Sequence, residues 1–210
     1  MTPMGRVVIL NGAPRSGKSS IADALASTGG DWANLGVDGV MAATPPELQP
    51  AMGLRPGGER PDLESVVADQ VASLFETVAV QAQAGVDVAV DVGLHDDYST
   101  PLGLWTLVAD RLGDLTALVV GVRCPLEEVM RRRDADPDDR YLRSATDGRV
   151  PDPVQRWQRA VHDPGIYDLE VDTSVTSPTA CAHVITTRLE HGPPPTALAQ
   201  LAEAGRPPHH

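Results

Sequence analysis

The sequence predicts an α/β fold, with about five parallel strands between two layers of helices. Three observations point there. Short runs of Val, Leu, Ile and Ala alternate with segments of helical period, and no hairpin signal joins consecutive strands. The runs are continuously apolar rather than alternating, as befits parallel strands covered on both faces. Finally, the first run, R-V-V-I-L-N from Arg6, stops at a Gly-rich turn that opens a helix. Right-handed crossovers would gather every strand-to-helix turn on one edge of such a sheet, where ligands bind.

Val7 to Leu10 is the first expected strand. A helix from Lys18 to Ala26 follows, with Ile21, Ala22 and Leu25 on one side and Gly29 and Gly30 at its end. Trp32 to Val37 reads as a second strand that delivers Asp38 at its C-terminal end. Residues 42–62 are rich in proline and glycine and too long for a simple connector, which suggests a loop on the acceptor side of a site. Asp62 is placed to cap a long helix reaching Ala84, with Val66, Val67, Val71, Leu74, Phe75 and Val78 on one stripe and Gly85 as terminator. Val86 to Val92 is the third strand. Thr100 and Pro101 look like the cap and first residue of a helix through Leu104, Leu107, Val108 and Leu112. Leu115 to Val122 is the fourth strand, and Pro125 opens the next helix, which runs into the charged stretch D-A-D-P-D-D-R-Y. A helix from Pro153 to Val161 precedes the fifth strand, Tyr167 to Val171. Ser177 and Pro178 start a last helix to Glu190. The organisation expected is one domain over 1–191, with a lid region at 131–149 and a loose Pro- and Ala-rich tail over 192–210. No internal repeat is found.

Gly12, Gly17, Lys18 and Ser19 match G-x-x-x-x-G-K-[ST], the P-loop pattern, between a strand and a helix as the motif requires. Its glycines let successive backbone N–H groups point inward at phosphate oxygens. The helix that follows adds unpaired N–H groups and the positive end of its dipole. Gly12, Ala13, Pro14, Arg15, Ser16, Gly17, Lys18, Ser19 and Ser20 are therefore the expected phosphate contacts of ATP. Lys18 would reach the β- and γ-phosphates, and the Ser19 hydroxyl would hold Mg²⁺. Lys18 is the only lysine in the chain, so a compact ammonium stands at the one place where it belongs against a phosphate.

Asp38 is the candidate catalytic base, a carboxylate placed to take the proton of an acceptor hydroxyl. The same spacing fits a cap for a helix beginning at Gly39. Asp91 ends an apolar strand, the usual position of a carboxylate that holds Mg²⁺ through water; a solvent-facing strand end reads the same way. Arg123, after the fourth strand, falls on the same sheet edge. Arg133 and Arg140, in a lid running from Arg131, are candidates to stabilise the oxygens of a transferring phosphoryl group. Arginines closing a helix against its dipole would give the same pattern. Asp96 and Asp97 read as solvated loop charges, and His162 as a surface or helix-end residue.

Composition narrows the partners. The chain has 210 residues and a net charge of −12, which disfavours nucleic acid. No apolar run approaches the roughly 20 residues that span a bilayer. No secretory signal pattern opens the chain, and two cysteines at distant positions give neither a disulfide framework nor a zinc spacing. A cytoplasmic protein acting on a small hydroxylated acceptor is expected, with a homo-oligomer left open. A GTPase is excluded, since its N-K-x-D element needs a second lysine.

N-G-A-P-R-S-G-K-S-S, L-G-V-D-G-V-M at 35–41, V-G-V-R-C at 120–124 and Y-D-L-E-V-D-T at 167–173 together resemble chloramphenicol phosphotransferase and its relatives, from about residue 5 to residue 190. The resemblance implies a three-layer P-loop kinase fold, similar to adenylate and shikimate kinases, with a short Arg-containing lid. It implies transfer of the γ-phosphate of ATP to an antibiotic hydroxyl, with Asp38 as proton acceptor. It also implies that the loop opening with Thr173 and Ser174 lies against the adenine. The lid of relatives commonly runs R-E-x-x-R-x-D-R; here R-D-A-D-P-D-D-R carries Asp136 and Pro137 near the middle arginine. Two other readings stay open on sequence: a metabolic kinase for a sugar acid, shikimate-like acid or nucleotide, and an ATP-binding regulatory module that transfers nothing.

Overall fold

The structure, a computed structural model, describes residues 3–29, 31–45, 56–136 and 142–205. Five strands, β1 (Val7–Asn11), β2 (Trp32–Gly36), β3 (Asp87–Val92), β4 (Ala117–Arg123) and β5 (Leu169–Asp172), form one parallel sheet in the order β2-β3-β1-β4-β5. The helices described are α1 (Lys18–Ala26), α2 (Val37–Ala43), α3 (Glu64–Gln83), α4 (Leu104–Leu112), α5 (Leu126–Asp134), α6 (Asp152–Ala160), α7 (Pro178–His191) and α8 (Ala197–Ala204). The α/β fold read from the sequence is the fold observed.

Side chains alternate across a strand, so β1 feeds two cores. Val7 and Ile9 pack toward α3, α4 and α8; Val8 and Leu10 pack toward α1 and α7. All four are completely buried, and each contributes about 1.5–3 kcal/mol relative to an exposed position. The helical stripe of α3 reads as expected, with Val67, Val71, Leu74, Phe75 and Val78 buried. A third, smaller core joins α5 to α6 through Cys124, Val129, Met130 and Val154. Strand order reverses at β1, which puts the turn after β1 at the crevice where ligands of such sheets sit.

Several boundaries differ from the sequence reading, each for a local reason. Val37 does not end β2 but opens α2, with Gly36 as its N-cap, so Asp38 lies in the first helical turn rather than at a strand end or as a cap. Asp62 does not cap α3. It belongs to a 3₁₀ turn, Pro61–Leu63, and is bonded to Arg60 at 2.7–2.9 Å, while α3 begins at Glu64. The helix expected from Pro101 begins at Leu104, because the Asp96 carboxylate accepts from the N–H groups of Leu102 and Leu104 and takes over the capping role. Asp96 is therefore not a solvated charge. Ser177 does cap α7, accepting from Ala180 N–H. Gly30, much of the 42–62 segment, the middle of the lid with Arg140, and the last five residues of the tail lie outside the described residues.

The tail expected to be loose contains α8, whose Ala197, Leu201 and Ala202 are buried. Its anchor is Asp168, just before β5. One carboxylate oxygen accepts from Val119 N–H at 3.0 Å, and the other from the N–H groups of Thr196 and Ala197 at 2.7 and 3.0 Å. The side-chain cap that Thr196 does not supply thus comes from a residue 28 positions away. Asp168→Ala orphans three N–H groups, and about 2–3 kcal/mol of stability should go with them. Hydrogen exchange should show the α8 amides losing protection before those of the sheet; a variant with wild-type protection in α8 would refute the anchor.

Candidate functional site

The turn after β1 curls as its glycines allow. Gly17 has φ 96° and caps α1, and Arg15 has φ 72°. At Gly12 a β-carbon would stand 2.6 Å from the Val122 carbonyl, so only glycine fits. No side chain caps α1 and no acidic residue stands in its first turn, which leaves its leading N–H groups available to an anion.

Three side chains meet beneath this turn. The Lys18 ammonium, buried, donates to the Ala13 carbonyl at 3.0 Å and lies 3.4 Å from one carboxylate oxygen of Asp91. The other oxygen of Asp91 accepts the Ser19 hydroxyl at 2.5 Å. Asp91 reaches them because its strand is next to β1, with Leu10 and Asp91 in register. The sequence placed all three on one sheet edge; the structure brings them into contact.

A cleft of about 1940 Å³ opens over them. Gly12, Pro14, Arg15, Gly17, Lys18, Ser19, Ser20, Asp38, Asp91, Arg133 and Thr173 all line it. Ala13 and Ser16 lie buried beneath the loop, and Ser174 is exposed, turned back onto Asp172 at 2.6–2.8 Å. Arg133 is buried where the lid meets the cleft. Arg15 is ion-paired with Asp136, which ties the loop to the segment carrying the lid.

Arg123 departs from expectation. Its guanidinium bonds Glu170 at 2.6–3.0 Å and lies over the Tyr167 ring, away from the cleft. The residue that sequence reasoning passed over is Arg132. It donates to the Arg15 carbonyl (3.3 Å), the Thr173 hydroxyl (3.1 Å) and the Thr173 carbonyl (2.8 Å), and to Glu128 at 2.8 Å. Thr173 in turn donates to the Ser16 carbonyl at 2.5 Å. Arg132 and Thr173 therefore pin the phosphate loop to the turn after β5. Bonds from Arg131 and Arg132 hold the Glu128 carboxyl down at about 2, so it stays charged as their partner. Only helix phase separates Arg132 from its two arginine neighbours, and three consecutive arginines give no sequence signal of it.

Behind the site, His162 Nδ1 meets the Tyr167 hydroxyl at 2.7 Å, and that hydroxyl donates to the Val161 carbonyl, which also accepts from Asn11. Burial, then Arg123 and Lys18 against the opposing pull of Glu170, push the His162 ring down to about 4. An unfolded histidine titrates near 6.5. The unfolded chain therefore binds the extra proton first, and stability present above that value is lost as pH falls toward 4. The ring is partly exposed, so screening leaves about 1–2 kcal/mol of this effect. The urea midpoint should fall between pH 7 and pH 5, and His162→Gln should flatten that fall; an unchanged slope would remove the histidine from the account.

A family model described as chloramphenicol phosphotransferase-like protein matches residues 5–190. No curated protein matches. Among solved structures, an unliganded sugar kinase from Janibacter sp. HTCC2649 is 17% identical, covering 89% of this chain and 95% of its own, with a TM-score of 0.62. The Mycobacterium tuberculosis APS kinase in complex with AMPPNP and APS is 20% identical over 90% of this chain and 99% of that one, also at 0.62. A Deinococcus radiodurans tunicamycin resistance protein is 17% identical over 89% and 96%, at 0.55. At these identities the structures speak for the fold alone.

Proposed function

The chain belongs to the chloramphenicol phosphotransferase-like family, and from that premise we propose that this small-molecule kinase moves the γ-phosphate of ATP to a hydroxyl of an antibiotic, chloramphenicol-like or nucleoside-type, conferring resistance or self-protection. The observation that carries the reading is one cleft lined by both the phosphate loop and Asp38.

In this reading the N–H groups at the head of α1 and the Lys18 ammonium hold the phosphates, and the cleft aligns an acceptor hydroxyl with the γ-phosphorus. The oxygen–phosphorus bond to the acceptor forms as the bond to the β-phosphate oxygen breaks. ADP leaves, and the hydroxyl proton passes to the Asp38 carboxylate. Arg133, with Arg140, would neutralise charge on the transferring group. Ser19 and Asp91 present oxygen donors only, the chemistry that suits Mg²⁺. The ion, held by Ser19 directly and by Asp91 through water, would supply charge neutralisation at the phosphates. Thr173, on the cleft wall, would face the adenine, whereas Ser174, bonded to Asp172, does not line the cleft among the described residues.

Acceptor charge is the finer part of the proposal. Beside the arginines of the phosphate loop and the lid helix, the described lining of the cleft carries Asp38, Glu59, Asp69 and an Arg60 bonded to Asp62. In this proposal the acceptor is uncharged or cationic rather than a sugar acid or nucleotide. The test incubates hydroxylated antibiotics, nucleosides, sugar acids and nucleotides with Mg·ATP and reads each by mass spectrometry for the gain of one phosphate. Gain on antibiotics or nucleosides is expected. Gain on sugar acids or nucleotides alone would replace the reading with a metabolic kinase, and slow ATP hydrolysis with no acceptor would replace it with a regulatory module.

A further inference from the structure

Among the described residues, Trp157 is the one aromatic side chain that lines the cleft. Aromatics make up only 3% of the sequence. Of the other tryptophans, Trp105 is buried in the core against α3 and Trp32 packs at the edge strand β2. One of the few large rings in the chain therefore lines the cleft that also holds the phosphate loop and Asp38.

The ring is firmly held. Its neighbours on α6 are both bonded to backbone carbonyls of other segments, Arg156 to Pro56 at 3.3 Å and Gln158 to Cys124 at 2.7 Å, which fixes the phase of the helix. Pro153 and Val154, one turn earlier on the same face, continue the wall. The indole edge lies beside Gly93, where a β-carbon would come within 3.7 Å of Trp157 Nε1 and 3.3 Å of the Gly12 carbonyl. His95, stacked on Tyr98 at 4.4 Å, meets the indole edge-on at 6.4 Å.

This arrangement costs stability. The indole N–H is buried with no hydrogen-bond partner among the described residues, and leucine or phenylalanine would fill the wall without that penalty. A local rule broken at the edge of a ligand cleft is the mark of a functional constraint. Resting on the kinase reading above, we infer that Trp157 selects the acceptor, its indole face stacking on a planar ring of an uncharged alcohol. An aromatic face offers a wide apolar surface with preferred offset and edge geometries, so it discriminates by ring shape while Asp38 addresses the hydroxyl.

The experiment uses ¹⁵N-labelled protein already saturated with Mg·AMPPNP. Trp157→Phe identifies the indole cross-peak of Trp157 by its disappearance. Chloramphenicol and uridine are then titrated in turn, with shikimate as an anionic, non-aromatic control. At least one of the two ring-bearing alcohols should move the Trp157 peak, and shikimate should not. Trp157→Leu should weaken binding of that alcohol about tenfold or more, equivalent to ~1.4 kcal/mol. AMPPNP affinity should stay within about twofold, and Trp157→Phe should restore most of the alcohol's affinity because it keeps the stack. A peak unmoved by both alcohols, or Trp157→Leu binding the alcohol as the wild type does, overturns the inference. Mass spectrometry of matching mixtures with ATP separates the two readings. Phosphate gained without movement of the peak removes Trp157 and leaves the kinase; movement without phosphate gained supports Trp157 and counts against transfer.

Discussion

Lys18→Met should abolish measurable phosphate transfer, a loss of about 10²–10³-fold or more, the scale of removing one electrostatic stabiliser from a phosphoryl-transfer site. The ammonium is buried between the Ala13 carbonyl and Asp91. A thioether there would leave the Asp91 carboxylate facing the incoming phosphates without its cation. Nucleotide affinity should therefore fall together with turnover. Lys18→Arg should not rescue it, since a planar guanidinium is wider than the space an ammonium fills. The chain has no other lysine to substitute. The check is single-turnover transfer together with AMPPNP titration of a variant whose melting curve matches the wild type. Transfer at an undiminished rate would overturn the proposal at its root.

Asp38→Asn is expected to show a different pattern, a fall in kcat of about 10²–10⁴-fold with nucleotide binding nearly intact. Asp38 lines the cleft from the first turn of α2, where the proposal seats the acceptor hydroxyl. The amide is isosteric but cannot accept the hydroxyl proton. The pairing of results is the test: Lys18→Met loses both binding and rate, Asp38→Asn loses rate alone. If Asp38→Asn weakens AMPPNP as strongly as it slows transfer, its role is structural and the base lies elsewhere.

Much of this site was legible because its signals are local. An apolar run, two glycines five positions apart and a Lys-Ser pair specify a strand, a turn and a helix within one short stretch, and steric limits on the backbone leave few alternatives. Asp91 was legible for a related reason: a buried parallel strand that ends in a carboxylate delivers it to the ligand edge whatever the rest of the chain does. Asp38 does line the cleft, but its surroundings were misread, because Val37 continues an apolar run and nothing local says that Gly36 has already ended the strand.

What the sequence by itself determined is the alternation of strands and helices, the phosphate loop after β1 and the set of polar residues delivered to one sheet edge, since each rests on contacts among near neighbours in the chain. Only the tertiary structure decided that Arg132 rather than Arg123 braces the loop, that Asp96 and Asp168 cap helices begun by other residues, that α8 is packed, and that Trp157 walls the cleft. Those outcomes depend on helix phase and on partners distant in sequence. The carboxylate of Asp168 meets Thr196 N–H, and Arg132 meets Thr173, across 28 and 41 positions. Local preferences do not encode such meetings, because burial of both cores at once sets the angle and depth at which each element comes to rest.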